Sequence, residues 1–342
     1  MPPLMELLFD YGLFLAKTLT LLLALVVLLI VVVRARASGQ PPAPVSGRLE
    51  VVDLGARLRD QAMRLRQATL TGKALREAHK AERKHDKQRA QASATRPRLF
   101  VIEFKGDIRA TEAAALRALV SALLLEARSE DEVLVRLDNA GGMVSEHGLA
   151  ASQLARLRER GIRLTVAVDK VAASGGYLMA CVADRIIAAP FAVLGSIGVL
   201  AEIPNFHRLL ERHGVDFELH TAGEHKRTLT LFGENTEEGR RKLREQLEET
   251  HALFKRFVAE YRPGLDLDRV ATGEYWHGTR AVELGLVDAI QTSDDYLLAA
   301  SDSHTLLGLS WRVRKPPLER LLEGGRAVFE QGVVRWRQPS AG

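Results

Sequence analysis

The chain has 342 residues, 46% of them hydrophobic and 27% charged, which is enough to bury at least one sizeable core. Sparse aromatics and ordinary Gly and Pro usage exclude a collagenous or low-complexity chain, and a single cysteine, Cys181, excludes an internal disulfide framework and a cysteine-based zinc site. The net charge of +5 is unevenly spread: residues 34–100 carry 16 Lys+Arg against 6 Asp+Glu, so the remainder is net acidic and no nucleic-acid partner is expected.

In chain order, residues 1–12 read as a short tail and residues 13–33 (LFLAKTLTLLLALVVLLIVVV) as an apolar run carrying only Lys17. As a helix the run is about 31 Å long, close to the hydrocarbon thickness of a bilayer. A cleaved signal peptide places basic residues before a shorter apolar stretch. Here Glu6 and Asp10 precede the run and Arg34 and Arg36 follow it, so an uncleaved anchor is expected. Positive charge on the far side then puts the rest of the chain in the cytoplasm. A second apolar stretch, residues 188–200, contains Pro190, Gly195 and Gly198 and is too short to span, so it reads as a buried strand and turn.

Residues 34–98 read as a linker rich in Pro, Gly and Ser, followed by a solvated, charged helix over 53–93 that can meet anionic lipid heads. A globular pattern starts at Leu99. Strands are expected at 99–104, 133–138, 164–169, 185–189 and 216–221, and helices over 110–128, about 144–160 and 235–261. This alternation predicts an α/β domain over 99–300 with a mostly parallel sheet. Residues 301–342 read as a C-terminal strand and an amphipathic helix; the helix's apolar face could dock on its own domain, on the membrane or on a partner.

Two glycine turns follow successive strands: Asp138-Asn139-Ala140-Gly141-Gly142, and Ala172-Ala173-Ser174-Gly175-Gly176-Tyr177. Strand ends of a parallel sheet are where ligands gather, and backbone N–H groups there can receive a developing oxyanion. A serine hydroxyl needs a base. His147, His220 and His225 read as surface or hydrogen-bonded residues, and the sequence has no HExxH or GxSxG motif. The glycine loop Thr221-Ala222-Gly223-Glu224-His225-Lys226-Arg227-Thr228 offers Lys226, which could serve as base if taken out of water.

The motifs Ala173-Ser174-Gly175-Gly176-Tyr177, Gly195-Ser196-Ile197-Gly198-Val199, Ala222-Gly223-Glu224-His225-Lys226-Arg227-Thr228 and Ala281-Val282-Glu283-Leu284-Gly285-Leu286-Val287-Asp288 occur in that order. Together they resemble the signal peptide peptidase A family of membrane serine–lysine peptidases, in particular its SohB branch. The resemblance covers most of the chain. It implies a ClpP/crotonase-like fold of stacked ββα units, Ser174 as nucleophile, Lys226 as general base, and backbone N–H groups of Gly142 and Gly175 as the oxyanion hole. It also implies a single-pass protein of the bacterial inner membrane, assembly as a homo-oligomer, no metal and no cofactor. Where that family has Ser-Pro before the first glycine pair, this chain has Asn139-Ala140 and loses the proline's stiffness. Ser196 is the rival nucleophile, though GSIG reads as a supporting turn. The leading function is an endopeptidase cleaving extended apolar peptides, such as signal-peptide remnants or membrane-protein fragments. The alternatives are a crotonase-like acyl-CoA enzyme, which would use a carboxylate base, and a catalytically silent membrane scaffold.

Overall fold

A computed structural model describes residues 10–25, 47–92, 95–223 and 225–313. The chain divides into two units, one of residues 48–312 and one combining residues 1–47 with 313–342. In the latter, residues 10–25 form helix α1, exposed along its length. Among the described residues no helix is long and apolar enough to cross a membrane. Residues 26–33 of the expected span, residues 34–46 of the linker and the amphipathic pattern over 317–336 lie outside the described residues.

The other unit follows an alternating order: β1 (Gly47–Asp53), α2 (Leu54–Thr69), α3 (Gly72–Ala92), β2 (Arg98–Lys105), α4 (Ala113–Glu126), β3 (Glu132–Asp138), α5 (Val144–Glu159), β4 (Arg163–Val168), β5 (Val171–Ala173), α6 (Gly175–Ala180), β6 (Arg185–Ala188) and β7 (Val193–Gly195). It continues with α7 (His207–Arg212), α8 (Glu237–Tyr261), α9 (Leu267–Val270), β8 (Tyr275–His277), α10 (Gly278–Glu283), β9 (Ala289–Ile290), α11 (Ser293–Ala300) and β10 (Thr305–Val313). Seven strands form one sheet in the order β1-β10-β2-β3-β4-β6-β9, and β5-β7-β8 form a second. Every pairing from β10 through β9 is parallel. The architecture is mixed α/β. Strands β1 and β10 come from residues outside 99–300 and complete one side of the large sheet.

A parallel sheet is buried on both faces, and the strand sequences follow that rule residue by residue. Phe100, Ile102 and Phe104 of β2, Val133, Val135 and Leu137 of β3, and Leu164, Val166 and Val168 of β4 enter the main core. There they meet Leu116, Leu119 and Leu123 of α4 and Ala150, Ala151 and Leu154 of α5. The intervening Leu99, Val101, Leu134, Ala167 and Ile187 form a smaller cluster on the other face, under Leu54 and Leu58 of α2 and Leu297 of α11. The charged segment after residue 53 is thus two helices rather than one. Asp53 caps α2 by accepting from the Ala56 N–H at 2.7 Å, and the first apolar turn of α2 packs on the sheet.

The strand expected at 216–221 is absent: those residues are exposed and in no regular element. Alternation alone does not make a strand, because its backbone N–H and C=O groups need a neighbouring strand to bond. The apolar stretch 188–200 does contain a buried strand and turn, with Leu194 and Ile197 fully covered.

One clamp fixes the end of α8 to the sheet. Arg262 donates to both carboxylate oxygens of Asp288, at 2.9 and 2.7 Å, and to the Gly285 carbonyl at 2.9 Å, while the Ile186 N–H donates to Asp288 at 2.7 Å. Burial alone would raise the Asp288 pKa. The hydrogen bonds from Arg262 and Ile186 outweigh it and hold the carboxyl below the ordinary range. A depressed folded-state pKa contributes stability that is present above the unfolded value and is lost as pH falls through the folded one. Asp288→Asn should therefore lower the unfolding free energy at pH 7 by about 1–3 kcal/mol. In urea titrations its deficit against wild type should shrink as pH falls below about 4.

Candidate active site

Ser174 follows β5 directly and precedes the first residue of α6, a helix buried throughout. Its backbone sits at φ 52°, ψ −119°, a conformation few L residues adopt. Such strain persists only where the surroundings over-determine it. Here the Ser174 N–H donates to the Gly195 carbonyl at 2.8 Å and its carbonyl accepts from Leu178 N–H at 3.0 Å. Below it, Tyr177 is fully buried and its hydroxyl donates to the Leu286 carbonyl at 3.0 Å. Burial pushes the Tyr177 phenol pKa up and keeps it a neutral donor. The side chain at 174 is half-buried at the end of this rigid turn.

The first glycine turn lies against it. Asn139 extends β3 to pair with Ala172, its N–H donating to the Val171 carbonyl at 2.9 Å and its carbonyl accepting from Ala173 N–H at 3.0 Å. Two residues on, Gly141 adopts φ 90°, and a Cβ there would come within 2.7 Å of the Gly175 nitrogen and 2.8 Å of the Ser174 Cβ. Only a residue without a side chain allows the two turns to meet. The N–H of Gly141 is already used, donating to Asn139 Oδ1 at 2.8 Å. Met143 N–H donates to the Ile108 carbonyl at 2.8 Å and ties the turn to the loop after β2. The turn that carries Gly141 and Gly142 thus faces the turn of Ser174 and Gly175 through Gly141, while Gly142 lies against the backbone of Ile108.

Lys226 lies in the segment between β7 and α8. It is exposed, in a loop whose Lys226 N–H donates to the Gly223 carbonyl at 3.1 Å. The loop belongs to an excursion between β7 and α8 that is pinned at its base. Phe206 N–H donates to the Leu231 carbonyl at 2.7 Å, and Asn205 donates to the carbonyls of Thr230 and Gly233, both at 3.0 Å. The same excursion leaves Leu200, Phe206, Leu209, Phe217 and Phe232 exposed.

The remaining candidates are also placed. Ser196 follows β7 as Ser174 follows β5, and Ala173 pairs with Gly195, so the two serines are neighbours across the strand pair. His220 and His225 are exposed. His147 is fully buried, with Nε2 3.2 Å from Asn139 Oδ1 and Nδ1 3.0 Å from the Met143 carbonyl. Cys181 is buried, and burial pushes its thiol pKa up, away from the thiolate that cysteine chemistry needs.

Comparison with known proteins decides the family. Residues 6–154 match the N-terminal model of peptidase family S49, and residues 156–306 match the model of peptidase family S49 itself. A "Probable protease SohB" of Haemophilus influenzae is 46% identical over 340 residues, 96% of this chain and 95% of that protein. The chain belongs to peptidase family S49. A second S49-type relative, "Probable protease SohB" of Buchnera aphidicola subsp. Acyrthosiphon pisum, is 57% identical over 65% of this chain and 66% of its own length. A solved 1510-N membrane-bound stomatin-specific protease, in complex with a substrate peptide, aligns at a TM-score of 0.41 with 12% identity, over 60% of this chain and 80% of that one. The family match and the 46% identical relative make the chain a peptidase, and the acyl-CoA alternative is set aside.

The role of the Asn139 side chain was not read from sequence. An Asn two residues before a glycine, folding its oxygen back onto that residue's N–H, is the available signal. The contact between the two turns predicts that Gly141→Ala lowers peptide hydrolysis at least 100-fold, because displacing the turn by about 1 Å is sufficient for such a loss. Gly148→Ala is the control: nothing lies within 4 Å of a Cβ there, inside α5. It should leave activity unchanged and raise stability by a few tenths to about 1 kcal/mol. Initial rates and thermal melts of both variants check this.

Proposed function

We propose that this S49 peptidase is a membrane-anchored serine endopeptidase of ClpP/crotonase-like fold that cleaves extended, apolar peptides such as signal-peptide remnants, with Ser174 as nucleophile and Lys226 as base. The observation that carries the reading is the strained Ser174 turn, faced by the Gly141 turn at the end of the parallel sheet. In this mechanism the Lys226 amine takes the proton from Ser174 Oγ as it bonds to the scissile carbonyl carbon. The carbonyl oxygen becomes an oxyanion held by the N–H groups of Gly142 and Gly175. The Lys226 ammonium returns the proton to the departing amine as the C–N bond breaks. Water then hydrolyses the acyl-enzyme with Lys226 again as base, releasing the acid and freeing Ser174. Each oxyanion donor of this kind is worth about 10²–10³ in turnover.

A lysine works as a base at neutral pH only when it is taken out of water. Lys226 is exposed in the single chain, and the same excursion exposes large apolar side chains. Both features support assembly as a homo-oligomer in which a second copy covers the excursion. The apolar run over 13–33, with acidic residues before and basic residues after it, supports a single-pass anchor in a bacterial inner membrane with the catalytic domain in the cytoplasm.

Labelling of the full chain in detergent with a fluorophosphonate probe tests the nucleophile. Wild type should label and hydrolyse peptides, while Ser174→Ala should do neither and should melt normally. Lys226→Ala should be equally inactive, and the double variant no worse, since the pair acts as a unit. Mixing the two single variants should restore activity if the pair forms between copies. Cleavage by folded Lys226→Ala would overturn the lysine mechanism. An unlabelled wild type with no turnover would favour the scaffold reading.

A further inference from the structure

His147 is a fully buried titratable group that the reaction above does not use. It sits in the first turn of α5, and its ring lies directly behind Gly175: a Cβ at Gly175 would come within 2.5 Å of the ring's Cγ and 2.7 Å of its Cδ2. The ring therefore touches the backbone of one proposed oxyanion donor. Its Nε2 lies 3.2 Å from Asn139 Oδ1, the same oxygen that accepts the Gly141 N–H at 2.8 Å. Asn139 Nδ2 is directed at Met179 Sδ, 3.3 Å away.

These contacts orient the Asn139 amide. A backbone N–H can only donate, so the Asn139 oxygen, not its NH₂, must face Gly141. Nδ1 of His147 faces a second acceptor, the Met143 carbonyl at 3.0 Å, so the ring can brace Asn139 only in a form that carries a hydrogen on Nε2. The turn Asn139-Ala140-Gly141-Gly142 contains no proline, so no ring fixes a φ ahead of its two glycines. Hydrogen bonds from side chains can hold the turn instead.

We infer that His147 is a positioning residue of the peptidase. By donating Nε2–H to Asn139 Oδ1 and packing behind Gly175, it holds the two glycine turns in the register that the oxyanion requires. The inference rests on the proposed roles of Ser174, Gly142 and Gly175. His147 touches no reacting atom and acts through Asn139 on one side and the Gly175 backbone on the other.

A double-mutant cycle on the full chain in detergent tests it, with initial rates on a fluorogenic apolar peptide. His147→Phe fills similar space without a donor and should lower kcat at least 10-fold, with KM changed less than threefold. His147→Gln keeps an amide donor within reach of Asn139 and should recover most of that loss. In an Asn139→Ala background, His147→Phe should cost less than twofold, because its target is gone. An unchanged kcat in His147→Phe, an equal loss in both His147 variants, or a cost that persists in the Asn139→Ala background would overturn the inference. Should His147→Phe not fold, the ¹⁵N shifts of the wild-type ring decide: an Nε2–H ring supports the brace, and a ring protonated only at Nδ1 overturns it. Failure of the underlying reading is separately visible, since Ser174→Ala would then still hydrolyse peptide, whatever the cycle shows.

Discussion

The structure depends on one close approach of backbone to backbone: the turn at Gly141 resting on the turn at Ser174, with no side chain between them. Neither turn could be held by its own residues. The first is a continuation of β3 beyond the large sheet, bonded through Asn139 to Val171 and Ala173. The second is the corner between β5 and a helix that is buried on every side. Their contact joins the two sheets, so the geometry of the turns is set by both sheets at once.

Rigidity reaches that point from some distance. Tyr177 anchors α6 to the Leu286 carbonyl, and Asp288, two residues further on, holds the Ile186 N–H and Arg262 at the end of α8. His251 of α8 lies 3.1 Å from the Ile197 carbonyl, in the loop after β7. The motif at residues 281–288, one of the four that carry the family resemblance, is in this way the support under α6, which follows Ser174. The strained φ of Ser174 needs such support, since a residue at φ 52° relaxes unless its neighbours on both sides are immobile.

Much of this was legible because burial on both faces leaves a strong mark. LFVIEF, VLVRLD and LTVAVD are mostly apolar runs of strand length, and each falls on a central strand. The long charged helix expected over 235–261 is found at Glu237–Tyr261, where Thr236 caps it by accepting from the Gly239 N–H at 3.1 Å. The outer strand β1 was not legible, because half of its residues face solvent and its identity depends on a partner some 250 residues away. Residues 216–221 failed for the converse reason: their local pattern is that of a strand, but they have no neighbour to pair with. At the site, the two glycine turns announce themselves by composition, whereas the Asn139–His147 contact joins residues eight apart through a turn of unusual φ, which no periodicity encodes.

The two halves of the proposed dyad are built in opposite ways. The serine half is over-determined: its flanking residues are buried, its backbone groups are bonded and its helix is inside the core. That suits a group whose oxyanion donors must be in place before charge develops, since preorganised dipoles cost nothing to reorient during the reaction. The lysine half lies in an excursion with one short helix and with Phe206, Phe217 and Phe232 clustered but largely uncovered. Covering those rings removes apolar surface from water, and a lysine becomes a base near neutral pH only when it too is desolvated. In the proposed mechanism the serine turn is thus formed within the single chain, whereas the lysine loop is the part on which a second copy would act.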